Sequence, residues 1–233
     1  MHVRLTYHFP GSIEVEEHQN WRYGAPGEKR QKKKKPTKEQ VENQNRINKA
    51  KHIRRLIKWN FVKNDYWITL TYRKNERPPD LKTAVKDLEK FFRKLREKYK
   101  KAGIPCKWIL TTEVGPKGAI HHHLILNRIE GLDIFLSQIW KKGTAHIQLL
   151  YEQGDFRQLA DYMVKKDKSE RRFSRSRNLI QKKPKRKIIL RQSLKKEPKP
   201  PKGYYLDKES YVQGINLFGY PYRNYTFLKV RRE

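Results

Sequence analysis

Between residues 66 and 166 the hydrophobic pattern alternates between two periods, and this alternation limits the possible folds more than any other feature of the sequence. YWITLTY (66–72) is aromatic and β-branched and predicts a strand. LKTAVKDLEKFFRKLREKYKKAG then places Leu81, Val85, Leu88, Phe92, Leu95 and Tyr99 at spacings of three and four, with Asp80 as N-cap and Gly103 as stop. CKWILTTEV (106–114) and AIHHHLILN (119–127) flank GPKG and predict a hairpin. GLDIFLSQIWKKG predicts a short helix and TAHIQLLY a strand, while DFRQLADYMVKKD predicts a helix over 155–167 capped by Asp155. The order β-α-β-β-α-β plus one helix predicts an α+β fold, a ferredoxin-like or RRM-like antiparallel sheet with helices packed on one face.

The flanks read differently. Residues 1–65 are expected to form a basic N-terminal extension with a helix over about 38–59, opened by the T-x-x-Q pair Thr37 and Gln40. Residues 168–233 are expected to form a basic, proline-bearing linker, KKEPKPPKG, followed by a tyrosine-rich C-terminal segment. The core domain is therefore expected over 66–167.

Charge narrows the partners. Lys and Arg number 56 against 24 Asp and Glu, a net charge of +32, which is more than solubility requires and points to a polyanion. The 5 Trp, 13 Tyr and 9 Phe among those cations suit stacking on unpaired bases, so single-stranded nucleic acid is favoured over a membrane surface. No apolar run approaches the roughly 20 residues of a bilayer span, and the expected location is the cytoplasm. The single cysteine, Cys106, excludes an internal disulfide and a thiolate metal cluster within the chain, leaving His and carboxylates for metal chemistry. The cationic runs at 29–35 and 182–187 suit phosphate neutralisation but discriminate little between polyanions.

The histidine run sharpens the reading. Side chains alternate along a strand, so His121 and His123 share one face, roughly 7 Å apart, and His122 takes the other. Glu113 lies across the hairpin, and if it pairs directly or diagonally with either imidazole, two nitrogens and one carboxylate converge. A slip of one residue would send the carboxylate to the opposite face. Such a donor set leaves open positions for water and a phosphate oxygen, which suits Mg²⁺ or Mn²⁺ as a Lewis acid. The other reading, histidines that simply fill a strand, stays open on the residues alone.

The last helix offers a nucleophile. Phe156, Leu159, Ala160 and Met163 form its apolar stripe and Tyr162 borders it, with Lys165 one turn on. A packed tyrosine beside a solvated lysine is the common arrangement; a phenol eased toward deprotonation by nearby positive charge is the functional one.

These pieces resemble a family. ITLTY (68–72), TEVGPKGAIHHHLIL and YMVKK follow the order and approximate spacing of the three motifs of HUH endonucleases, in which a His-hydrophobic-His strand precedes a catalytic tyrosine by about 40 residues. The sequence resembles a single-tyrosine rolling-circle replication initiator over roughly residues 66–166. The resemblance implies a ferredoxin-like nicking domain in which Glu113, His121 and His123 hold the divalent ion. It also implies that Tyr162 attacks the scissile phosphate of single-stranded origin DNA and keeps the 5′ phosphate, while Lys165 orients the phenol or neutralises charge near it. His122 departs from the usual apolar central residue, and Lys166 stands where two-tyrosine initiators carry a second nucleophile, so one nucleophile is expected. His146 and Gln148 in AHIQL share the i, i+2 spacing, but Gln148 lies only 14 residues before Tyr162, so this pair is assigned to strand packing or DNA contact.

No GxxxxGK[ST] loop is present in the sequence, so strand separation would depend on a host helicase, and extension of the free 3′ hydroxyl on a host polymerase. A mobilisation relaxase or a single-strand transposase would share this chemistry. The rival from another class is a non-catalytic RRM-like nucleic-acid-binding module, which would present aromatics on its central strands.

Overall fold

A computed structural model describes residues 2–20, 36–115, 118–150, 156–164, 171–216 and 220–230, except the side chains of Arg171 and Arg191. In chain order the elements are β1 (His2–His8), β2 (Ser12–Gln19), α1 (Lys38–Asn60), β3 (Tyr66–Thr71), α2 (Leu81–Lys101), β4 (Trp108–Val114) and β5 (Ile120–Leu126). They continue with α3 (Leu132–Ile139), β6 (Ala145–Leu149), α4 (Arg157–Met163), β7 (Arg171–Arg175), β8 (Lys185–Ile189), β9 (Tyr204–Ile215) and β10 (Pro221–Lys229). The chain divides into two compact units, one of Met1–Val41 with Lys182–Glu233 and one of Glu42–Gln181.

The Glu42–Gln181 unit is mixed α+β, built on a five-stranded sheet of order β6-β3-β5-β4-β7 whose pairs are all antiparallel. Strand alternation separates two apolar faces. Tyr66, Ile68 and Leu70 of β3, Leu110 of β4 and Leu124 and Leu126 of β5 join α2 and α3 in one core, with Phe91, Phe92, Leu95, Leu132 and Leu136 among the buried residues. Each such buried side chain contributes roughly 1.5–3 kcal/mol of transfer free energy.

On the opposite face Ile109, Ile125 and Trp67 pack against α1 and α4 through Ile53, Leu56, Ile57, Ala160 and Met163. Helices therefore cover both faces, where one face was expected. The reason lies in Ile109 and Ile125: each is fully buried at an odd position of an otherwise polar strand face, and each needs an apolar cover of its own.

Local signals set the helix ends. At α1, Gln40 N donates to Thr37 Oγ1 (3.2 Å) and Thr37 N donates to Gln40 Oε1 (3.0 Å), the reciprocal capping box. At α2, Thr83 N donates to Asp80 Oδ1 (2.7 Å). Gly103, at φ +68°, closes that helix: its N–H donates to Lys100 O (3.1 Å) and that of Ile104 to Tyr99 O (3.2 Å), a Schellman stop that needs left-handed backbone.

The other unit contains a second five-stranded antiparallel sheet, of order β8-β1-β2-β10-β9. The stretch read as a basic extension thus supplies two strands, and the stretch read as linker and tail supplies three. Their sequences hide this. SIEVEEHQ alternates apolar and acidic residues, and its buried Glu17 is neutralised by Arg223, 206 positions away. Arg223 reaches Glu17 Oε2 through Nε (2.7 Å) and donates to the carbonyls of Ser193, Leu194 and Lys196, while Arg4 Nε meets Glu17 Oε1 at 2.6 Å. A lone buried carboxylate would be prohibitive, and the two guanidiniums remove that penalty. Of the cationic runs, 29–35 lies outside the described residues, and 182–187 leads into edge strand β8 with Lys185, Arg186 and Lys187 exposed.

Candidate active site

Register decides where the polar side chains go. In the β4–β5 hairpin Glu113 stands directly opposite His121, and Thr111 opposite His123. β3 lies on the other side of β5, with Thr69 opposite His123 and Trp67 opposite Ile125. Residues opposite one another share a face, so Glu113, His121, His123, Thr69 and Trp67 all project on the side covered by α1 and α4.

There the distances are short. Glu113 Oε1 is 3.4 Å from His121 Nε2 and 3.6 Å from His123 Nε2. Thr69 Oγ1 is hydrogen-bonded to His123 Nδ1 at 3.2 Å. A tautomer with its proton on Nδ1 donates to that hydroxyl and leaves the Nε2 lone pair directed at Glu113 and Tyr162. Trp67 stacks on the His123 ring, with centroids 5.4 Å apart and planes within 6°, which fixes the ring plane as the threonine fixes its rotation.

Tyr162 arrives from α4, whose Ala160 and Met163 are buried against the sheet. Its hydroxyl lies 3.2 Å from His123 Nε2, and its ring stands edge-on to both His123 (5.0 Å) and Trp67 (6.1 Å). The residue is 40% exposed, so a phenolic oxygen anchored at one end of the imidazole pair remains open to an incoming strand. Lys165 and the expected cap Asp155 lie outside the described residues.

His122 takes the other face and belongs to the opposite core. It is fully buried between Tyr72 Oη (3.0 Å from Nε2) and Thr112 Oγ1 (2.8 Å from Nδ1). Burial, reinforced by the flanking imidazoles, pushes it down to about 3, so it stays neutral. The polar centre of the histidine triplet is thus a hydrogen-bonded core residue with no path to Glu113.

The donor set was tested against a divalent ion. Ligand atoms at about 2.0–2.2 Å from one ion, at tetrahedral or octahedral angles, stand roughly 2.8–3.6 Å apart. Both contacts of Glu113 fall within that span. Among the described residues no group of three His, Cys, Asp or Glu side chains is preformed as a metal cage, so the trio fits an ion after small rotations of its side chains. Gly115 keeps room for this: a Cβ there would come within 3.0 Å of His121 Cε1.

Four of the five residues selected from the sequence, Glu113, His121, His123 and Tyr162, are thus brought together. Trp67 and Thr69 were not selected. Their signal is the alternation of YWITLTY, which puts both on the face opposite Tyr66, Ile68 and Leu70, but only the pairing of β3 with β5 shows that this is the histidine face.

Comparison with known proteins gives a class for this part of the chain. Residues 65–167 match a family model described as Replication-associated protein, of the ORF2 type, which associates the sheet and its site with DNA replication. No curated protein and no solved structure matches the chain.

Proposed function

We propose that residues 66–167 form a nicking centre that joins one strand of origin DNA to Tyr162 and so begins rolling-circle replication. The observation that carries this reading is the Tyr162 hydroxyl at 3.2 Å from His123 Nε2, beside Glu113. The match to a replication-associated family over the same residues supports it, as does the strand order β6-β3-β5-β4, the order of a split βαβ, ferredoxin-like sheet.

Glu113, His121 and His123 would hold Mg²⁺ or Mn²⁺, which supplies Lewis-acid polarisation of a phosphate oxygen. The chain's own residues do the rest. Thr69 and Trp67 hold the His123 ring, and α4 holds the phenol within reach of it. In the transfer the phenolic oxygen forms a bond to phosphorus, the bond to the 3′ oxygen breaks, the phenol loses its proton and the 3′ oxygen gains one. The number of phosphodiester linkages is unchanged, so the same centre can rejoin ends without a nucleotide. Lys165 is proposed to neutralise charge near the phenol.

A mobilisation relaxase or single-strand transposase would use the same residues on a different DNA. The RRM-like binding module is disfavoured because the aromatic of the site face, Trp67, is stacked on His123 rather than presented to a base. The test is incubation of the purified protein with single-stranded origin DNA and Mn²⁺, followed by a denaturing gel. A covalent adduct is expected from the native chain and none from Tyr162→Phe; an adduct that persists in the variant would assign the nucleophile elsewhere.

A further inference from the structure

We propose that His146 and Gln148 form a base-recognition subsite for the strand cut at Tyr162, and that the base it takes is adenine. This rests on the nicking reading above, since it concerns the same strand.

The placement follows from register. β3 is flanked by β5 on one side and β6 on the other, so Thr69 stands opposite both His123 and His146, and Trp67 opposite both Ile125 and Gln148. His146 and Gln148 therefore project on the face that carries Glu113, His121 and His123. His146 lies two interstrand spacings, roughly 10 Å, from His123. At about 3.4 Å of rise per nucleotide, that is within about three nucleotides of a phosphate at Tyr162.

The chemistry fits one base better than the others. Both side chains are exposed, and Gln148 Nε2 lies 3.3 Å from His146 Nε2. That contact uses one amide hydrogen and leaves the carboxamide with one N–H and its oxygen side by side, a donor and an acceptor that complement N7 and the N6 amino group of adenine. The imidazole adds a flat face on which a neighbouring base can stack.

The strand itself is unusual in this chain. Among the edge strands of the two described sheets, β7, β8 and β9 all carry charged residues, whereas β6 (AHIQL) has none. Exposed edges are ordinarily guarded by charge, and a substrate strand laid beside the cutting centre would cover this one.

The test uses the full chain and a randomised single-stranded DNA library in Mn²⁺, with the bound fraction sequenced for the native protein, His146→Ala, Gln148→Ala and Gln148→Glu. The native protein is expected to enrich adenine at one position. Both alanine variants should lose at least about five-fold of that enrichment while the rest of the profile stays, and Gln148→Glu should move the preference toward cytosine, whose N4 amino group a carboxylate accepts from. Absence of an adenine position, an unchanged variant profile, or an even loss at every position would overturn the subsite. Adduct formation on the selected DNA is scored in parallel. A native protein that forms no adduct overturns the nicking reading whatever the binding profile, whereas an adduct with unchanged variant profiles overturns the subsite alone.

Discussion

The phenolic oxygen of Tyr162 lies 3.2 Å from Nε2 of His123, and the same nitrogen is 3.6 Å from Glu113 Oε1. Nucleophile, imidazole and carboxylate come from α4, β5 and β4, so their meeting is a product of the tertiary fold and is sensitive to each residue separately.

Removing the charge of Glu113 while keeping its shape should separate ion binding from folding. Glu113→Gln is expected to weaken Mn²⁺ binding by about 10–100-fold and to slow cleavage at least as much, with the thermal midpoint little changed. Titration calorimetry on the full chain reads the affinity directly. Unchanged Mn²⁺ affinity would remove Glu113 from the ligand set.

His122 should matter for stability in a way its neighbours do not. His122→Ala leaves the hydroxyls of Tyr72 and Thr112 buried without their shared partner and opens a cavity, a cost of about 2–4 kcal/mol. A shift of the urea midpoint well below that of His121→Ala is expected, because His121 is partly exposed at the sheet end.

How much of this was legible beforehand differs by element. The helix over 81–101 is written in its own residues, from Asp80 through the stripe of Leu88, Phe92 and Leu95 to Gly103, so local physics was enough. The β4–β5 hairpin was legible as two strands, but whether Glu113 meets His121 depends on register, which GPKG alone does not fix. Least legible was the sheet of β1, β2, β8, β9 and β10. Its strands pair across most of the chain length, and its buried Glu17 looks like a surface residue until Arg223 and Arg4 are placed beside it. Likewise RRFSR reads as another basic run, and only its pairing with β4 makes it the edge of the site-bearing sheet.

That pairing of Glu17 with Arg223 carries its own prediction. Both side chains are almost wholly buried, so Arg223→Ala strands a carboxylate that Arg4, partly solvent-exposed, only partly compensates. A loss of about 3–5 kcal/mol is expected in denaturant unfolding, with a smaller loss when Glu17→Gln is combined with it.

The pH dependence has a defined sign at His52. Burial first, and then the cations Arg175 and Arg55, hold its imidazole below the usual value of 6.5. The unfolded chain therefore takes up this proton before the folded one does, and stability is lost as pH falls below about 6.5. Chemical unfolding at roughly pH 7 and pH 5 should show a larger loss for the native chain than for His52→Gln.

The most direct measurement of the central claim is peptide mapping of the product formed with single-stranded origin DNA and Mn²⁺. The expected result is one nucleotide-modified peptide, linked by a 5′ phosphate to Tyr162, that disappears on chelation and in Tyr162→Phe. DNA cut without any protein linkage, or a linkage carried by a different residue, would contradict it.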